Sequence, residues 1–301
     1  LRKHIKQQFK DFYSHFTYLE MEQALEYFAV FGGMQSYVDI DFFDDLDEII
    51  MHNFVLKYSQ FDALITPSYL LEAPYRTLLI AIARGDGKLL NIFRRARINE
   101  TVGGELVAEL SATGIVQIEL SREHPLKHYP KQKIKKTLRS YRIQSKIRFM
   151  DPFLRFWFGF VEPYRHQIKD GKSHDFFQNF HLHYDRCVSL VFEQLSNELL
   201  ELQFQVRDPL QSKGGFWDQY SEFDLLSLTK SGKIILGECK YKGRKICKNE
   251  LNKLQEKALH SGIHVDYYAL FSKNGFSNEL LQSKDASVLL FDIESFKQLL
   301  V

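Results

Sequence analysis

Little in this chain of 301 residues is suited to cross-linking or to interrupting secondary structure. It has three Cys, seven Pro, sixteen Gly and two Trp. Three cysteines, Cys187, Cys239 and Cys247, form no paired framework, so a disulfide-stapled secreted scaffold is excluded and a reducing, cytoplasmic setting is expected. The scarcity of Pro and Gly argues against long loops. No apolar run approaches the roughly 18 residues of a membrane span. The most apolar stretch, Phe149 to Val161, is broken by Asp151 and Arg155, so no membrane partner is expected. No secretory leader is recognisable. There is no GxxxxGK[ST] phosphate loop, so the chain is not expected to bind ATP in the Walker manner. His181, His183 and Cys187 have no accompanying CxxC or HExxH and read as helix surface rather than a zinc site. Charge of one sign is also lacking overall: forty Lys and Arg against thirty-eight Asp and Glu leave +2. That total excludes nothing about nucleic acid until the charges are located along the chain.

What is present is ordinary for a soluble globular protein, 45% hydrophobic and 26% charged, with twenty-six Phe and fifteen Tyr to fill cores. The length suggests two or three domains. Residues 1–66 read as helical, with apolar residues at three- and four-residue spacing from Phe16 to Ala29 until Gly32-Gly33 interrupts them. Val38 to Ile50 carries six acids in thirteen residues, which reads as a solvated helix face with caps. Residues 67–150 predict three short helices, Tyr75 to Arg84, Lys88 to Arg95 and Thr101 to Thr113. Thr101 is the expected cap and Gly114 the expected C-terminal stop. Segments Ile115 to Leu120 and Ser140 to Phe149 predict a hairpin with a long tip. Three helices and such a hairpin fit a winged helix-turn-helix. Residues 151–181 predict a connecting helix that starts at Asp151-Pro152, its aromatic stripe packed into core.

The local charge supports a nucleic-acid partner. Between Ser121 and Met150 stand ten Lys or Arg and one acid, a net +9 in thirty residues. Lys131, Lys133, Lys135, Lys136 and Arg139 in this tip, with Arg94, Arg95 and Arg97 before the third helix, are the expected DNA contacts. The third helix offers few base-reading side chains, so backbone contacts are expected rather than base readout.

Residues 182–301 carry the most chemistry. The pattern predicts a helix over Leu182 to Leu202 that bears Glu193, then strands near Phe204 to Arg207, Glu222 to Leu228 and Lys233 to Lys240. A helix over Lys248 to Ser261, a strand over Val265 to Phe271, a further helix, a short strand over Ser287 to Phe291 and a terminal helix follow. This αβββαβ order predicts an α/β domain with a mixed sheet flanked by helices. Glu238 and Lys240 are two apart on one strand and so share a face. The hairpin brings Asp224 beside Glu238. Two carboxylates on adjacent strands make a hard-oxygen site for Mg²⁺ or Mn²⁺, with the main-chain carbonyl of Cys239 as a further ligand. Lys240 can orient an attacking water and Glu193 can support the site, so Asp224, Glu238, Lys240 and Glu193 are the expected catalytic residues of metal-assisted phosphodiester hydrolysis.

The array Glu193, Asp224 and Glu238-Cys239-Lys240 resembles the PD-(D/E)XK nuclease motif, which implies a restriction-endonuclease-like fold. A wider resemblance spans nearly the whole chain. Tyr27 to Tyr37 (YFAVFGGMQSY), Asp151 to Val161 (DPFLRFWFGFV) and Trp217 to Lys240, ending GECK, are similar to the C-terminal part of a prokaryotic, archaeal-type family of AAA/STAND-like P-loop ATPases. That resemblance implies an ATPase lid or tail in residues 1–66, a winged helix, a nuclease-like C-terminal domain and a missing N-terminal ATPase partner. The chain begins at Leu1 within what reads as helix and is expected to be a piece of a longer polypeptide. The expected function is metal-dependent DNA cleavage. The alternatives are a nuclease-fold module that binds DNA or protein without catalysis, and an oligomerisation or regulatory region.

Overall fold

In the computed structural model, which describes residues 4–40, 45–123, 131–133, 136, 141–283 and 285–301, the chain divides within one long helix. One unit comprises Leu1–Glu119 and Ser145–Val191, the other Leu120–Gln144 and Phe192–Val301. The architecture is mixed α/β, with helices dominating the N-terminal part and a five-stranded mixed sheet in the C-terminal part.

The first unit is built on aromatic spacing. In α1 (Ile5–His15), Phe9 and Phe12 lie three apart on one face. Both rings pack on Phe28 of α2 (Met21–Phe31), with centroids 5.2 and 5.6 Å away. Asp45 caps α3 (Leu46–Ile50) by accepting from the Glu48 N–H at 2.8 Å, so part of the acidic stretch does serve as a cap. A π-helical turn, Met51–Leu56, and α4 (Tyr58–Leu64) follow. Phe54 in that turn is the aromatic centre, touching Phe31, Phe61, Phe153 and Phe156 at 4.9–5.6 Å. Beside it Asn53 is fully buried. Its amide donates to the carbonyls of Asp39 and Ile49 and accepts from the Asp39 N–H, so its burial leaves nothing unpaired.

Helices α5 (Tyr75–Arg84), α6 (Leu89–Ala96) and α7 (Glu100–Ala112) precede the antiparallel pair β1 (Val116–Glu119) and β2 (Lys146–Phe149). Asn99, not Thr101, caps α7, accepting from the Val102 N–H at 2.9 Å; its short amide reaches back to the first turn, whereas Thr101 already lies inside the helix. A Cβ at Gly103 would come within 2.6 Å of the Phe93 ring, so the crossing of α6 and α7 depends on glycine there.

Next come α8 (Pro152–Phe156), a π-helical turn Trp157–Val161, α9 (Arg165–Lys169) and α10 (His174–Phe204). Asp151 caps α8, and a Cβ on Gly33, at φ +93°, would lie 2.9 Å from its carboxylate. Gly32 accepts from the Phe153 N–H at 3.2 Å. Two of the stretches that carry the wider resemblance therefore meet, with the Gly-Gly corner seating the Asp-Pro-Phe helix start.

The second unit begins its compact sheet after α10, which starts eight residues before the expected Leu182. The strand expected over Phe204–Arg207 is instead the end of α10 and a turn; Phe204 is still helical, and the chain becomes extended only after Pro209. The elements are β3 (Leu210–Ser212), the two-residue strands β4 (Phe216–Trp217) and β5 (Glu222–Phe223), β6 (Leu225–Thr229), β7 (Ile234–Lys240), α11 (Lys248–His260), β8 (Tyr267–Ser272), α12 (Asn278–Leu281) and β9 (Val288–Asp292). The chain ends in a 3₁₀ helix, Ile293–Leu300. Sheet order is β3-β6-β7-β8-β9, antiparallel through β7 and parallel beyond it. Leu236 and Leu270 pack with Leu251, Leu254 and Ala258 of α11 in one core cluster. Phe192 of α10 stacks on Phe296 of the terminal 3₁₀ helix at 4.9 Å and meets Tyr241 at 5.4 Å.

Candidate functional site

The antiparallel register of β6 and β7 pairs Leu225 with Gly237, so the next position along places Asp224 opposite Glu238. Asp224 is not within a strand as expected. It occupies the bend between β5 and β6, where the chain leaves its short pairing with β4 and joins the main sheet. Its carboxylate accepts from the Cys239 main-chain N–H at 2.8 Å, which ties the bend to β7. Gly237 makes that close approach possible: a Cβ there would lie 3.1 Å from both the Ala269 carbonyl and Leu225 Cβ. Glu238 and Lys240, two apart on β7, are ion-paired through Oε1 and Nζ.

The electrostatics identify a crowded acidic site. Burial, then the charges of Glu193 and Glu238, push Asp224 up to about 8, against the opposing Cys239 N–H and Lys240. Burial alone would lower Lys240, but its hydrogen bond to Glu238 and the charges of Glu238 and Asp224 outweigh that and raise it. Burial and then Asp224 and Glu193 hold the Cys239 thiol well above its ordinary range. Cys239 is therefore an inert thiol. Glu193, Glu238 and Lys240 thus all lie within electrostatic reach of Asp224 in the second unit.

Among the described residues, no group of three or more His, Cys, Asp or Glu side chains is arranged to hold a metal ion. An ion held there would take one or two carboxylates and keep several waters, as Mg²⁺ does. A cation would also relieve the carboxylate repulsion that raises Asp224.

The expected DNA contacts divide between the units. Arg94, Arg95 and Arg97 are exposed at the C-terminal end of α6, where Arg97 adopts a left-handed φ of 57°. Lys131, Lys133 and Lys136 are exposed in the second unit, whereas Lys135 and Arg139 lie outside the described residues. The basic stretch is less free than its charge count implies. Arg122 donates to the carbonyls of Gly214, Gly215 and Leu226 at 2.7–2.8 Å, Arg148 pairs with Glu119 at 2.9 Å, and Lys146 is buried. On α11, Lys257 bonds the Glu222 carbonyl and lies over the Phe223 ring. Trp217 is buried, its indole donating to the Gln144 carbonyl. His181 pairs with Asp47, but Cys187 is buried rather than on the helix surface.

Sequence reasoning missed a second group, Arg84, Arg155 and Arg186, which with Arg95 and His183 line a cleft in the first unit. Spread over a hundred positions and borne singly on different helices, they have no common spacing to reveal them.

Residues 157–254 are similar to a family of archaeal and bacterial proteins of unknown function, DUF234. No curated protein matches the chain. A crystal structure of a Vibrio cholerae protein is similar over 100% of this chain and 55% of its own, at 12% identity and a TM-score of 0.32. The chain thus spans about half the length of that structure, and the likeness assigns no fold. Among the described residues no helix is long and apolar enough to cross a membrane.

Proposed function

We propose that the second unit is a metal-dependent phosphodiesterase centre of the PD-(D/E)XK kind, acting on DNA. The observation that carries the reading is the β6–β7 register, which sets Asp224 opposite Glu238, with the Asp224 carboxylate held by the Cys239 N–H and Lys240 ion-paired to Glu238. The β6–β7 hairpin and the helices flanking the mixed sheet support a restriction-endonuclease-like reading. Helices α5 to α7 with the β1–β2 pair support a winged helix.

Asp224, Glu238 and the Cys239 carbonyl would hold Mg²⁺ or Mn²⁺. The bound ion would supply Lewis-acid polarisation of a phosphoryl oxygen and a neutralising charge. The chain's own residues do the rest. Asp224 is fixed by the Cys239 N–H. Lys240, kept protonated by Glu238, holds a water or a phosphate oxygen by charge-assisted hydrogen bonds. Glu193 on α10 adds the negative charge that favours a cation. The resemblance to ATPase C-terminal regions makes an ATPase module the proposed partner in the intact polypeptide.

The test is cleavage of a DNA substrate by the purified chain with Mn²⁺, next to calorimetric Mn²⁺ binding. Cleavage that is equal in Asp224→Ala, or the absence of cleavage and of Mn²⁺ binding together, overturns the proposal. One observation favours a second reading, a non-catalytic binding module. Asp224 already accepts a main-chain N–H, and Glu238 already holds Lys240, so the site is internally satisfied. That reading requires DNA binding that persists in Asp224→Ala with no cleavage by either protein.

A further inference from the structure

The first unit contains a half-open cleft of about 350 Å³ lined by Arg84, Arg95, Arg155, Arg186, His183 and the main chain at Gly159. The four guanidinium groups come from four helices: the end of α5, the last turn of α6, α8 and the middle of α10. Each donates to a main-chain carbonyl. Arg84 donates to Gly159 at 2.9 Å, Arg95 to Arg84 at 2.5 Å, Arg155 to Arg186 at 3.3 Å, and Arg186 to Gly85. Among the described residues, Arg84, Arg95 and Arg186 have no carboxylate partner, although Arg84 also lies over the Tyr164 ring at 5.7 Å.

Like charges gathered in one cleft repel, and carbonyl bonds orient them without neutralising them. A guanidinium carries five N–H donors, and on Arg84, Arg95 and Arg186 each carbonyl bond given above uses one, so most of their donor capacity remains. The planar forks of Arg84, Arg95 and Arg186, fixed in place and without a carboxylate partner among the described residues, are what phosphate recognition requires. The backbone at the cleft departs from the ordinary α-helix as well. Gly159 belongs to the π-helical turn, a local geometry found often at functional sites, and a Cβ there would lie 3.5 Å from that of Ala83. The volume lies at the small end of the range for ligand sites, roughly 300–1,000 Å³, enough for a phosphate and part of the group that bears it.

We infer that this cleft is a phosphate-binding site, for a phosphate carried by a nucleotide or by a nucleic-acid strand. Arg84 and Arg155 form its inner wall, and the exposed Arg95 and Arg186 close on the anion from the rim. The inference stands apart from the metal centre, because every residue it uses lies in the first unit.

The experiment is calorimetric titration of the full chain, without divalent cation, with pyrophosphate, ATP and a 12-residue single-stranded DNA. Thermal melting accompanies each titration. Arg95→Gln and Arg186→Gln change exposed side chains, and Arg207→Gln, exposed in the other unit, is the control. Saturable binding of at least one probe is expected, weakened about tenfold by each cleft substitution and unchanged in the control, as loss of charge-assisted bonds requires. Tighter binding of ATP or pyrophosphate than of DNA identifies a free nucleotide as the source, and the reverse order identifies a strand. No binding of any probe, or equal binding by the Arg95→Gln/Arg186→Gln double variant with unchanged melting, overturns the inference.

Discussion

The acidic site of the second unit and the arginine cleft of the first both crowd like charges, and they resolve the crowding differently. At the acidic site, carboxylates can change protonation state. Asp224 is pushed up to about 8, one main-chain N–H donates to it, and Lys240 enters to balance Glu238. In the cleft the guanidinium groups cannot give up their protons. They are spread over four helices and restrained by carbonyls instead. Asp224 can thus stay protonated until a cation arrives, whereas an arginine cluster keeps its field whether or not an anion is present.

The largest effect expected from that contrast is on cleavage. Asp224→Ala should lower Mn²⁺-dependent DNA cleavage by at least about 10³-fold, measured as initial rate on a labelled duplex. The Arg95→Gln/Arg186→Gln double variant should lose about a hundredfold in phosphate affinity while Mn²⁺ binding, measured by calorimetry, stays at the native value. If either substitution disturbs both sites alike, the two are not separate devices.

The pH dependence should separate them further. In the folded protein Asp224 titrates near 8, against an ordinary 3.8. Its raised value adds stability that is fully present below about pH 4 and is lost as pH rises through about 8. Asp224→Asn should remove that component from a stability-versus-pH series measured by urea unfolding. A cation must displace the proton, so Mn²⁺ affinity should tighten by up to about tenfold per pH unit from about pH 6 to about 8 and then level off. Pyrophosphate binding should show no such slope from the arginines. The smallest effect is expected at an opposite-charge pair outside both sites. His181 and Asp47 meet at 2.6 Å on the exposed surface, and His181→Ala should cost no more than about 1 kcal/mol in thermal or urea unfolding.

Much of the second unit was legible along the chain. Strand alternation places Glu238 and Lys240 on one face, and the apolar spacing of Leu251, Leu254 and Ala258 predicts α11. The expected ends of β8 and β9 fall within two residues of those observed. Asp224 was legible as a residue but not as a bend, because Phe223 and Leu225 flank it with the same apolar alternation that an unbroken strand would show. Arg122 counted as part of a free basic wing, since charge in a sequence does not reveal that a guanidinium will be used on three carbonyls.

The sequence by itself determined which chemistry each short stretch can offer: a Glu-x-Lys pair on one strand face, a basic run after Ser121, and a helix start at Asp151-Pro152. These are consequences of the 2.0- and 3.6-residue periods and of caps, all local properties of the chain. Only the tertiary structure decided which charges share a site. Glu193 and Glu238 both act on Asp224 because α10, the bend and β7 come together. Arg84, Arg95, Arg155 and Arg186 share a cleft because four helices pack. Charge interaction depends on distance and burial, and neither is set by separation along the chain.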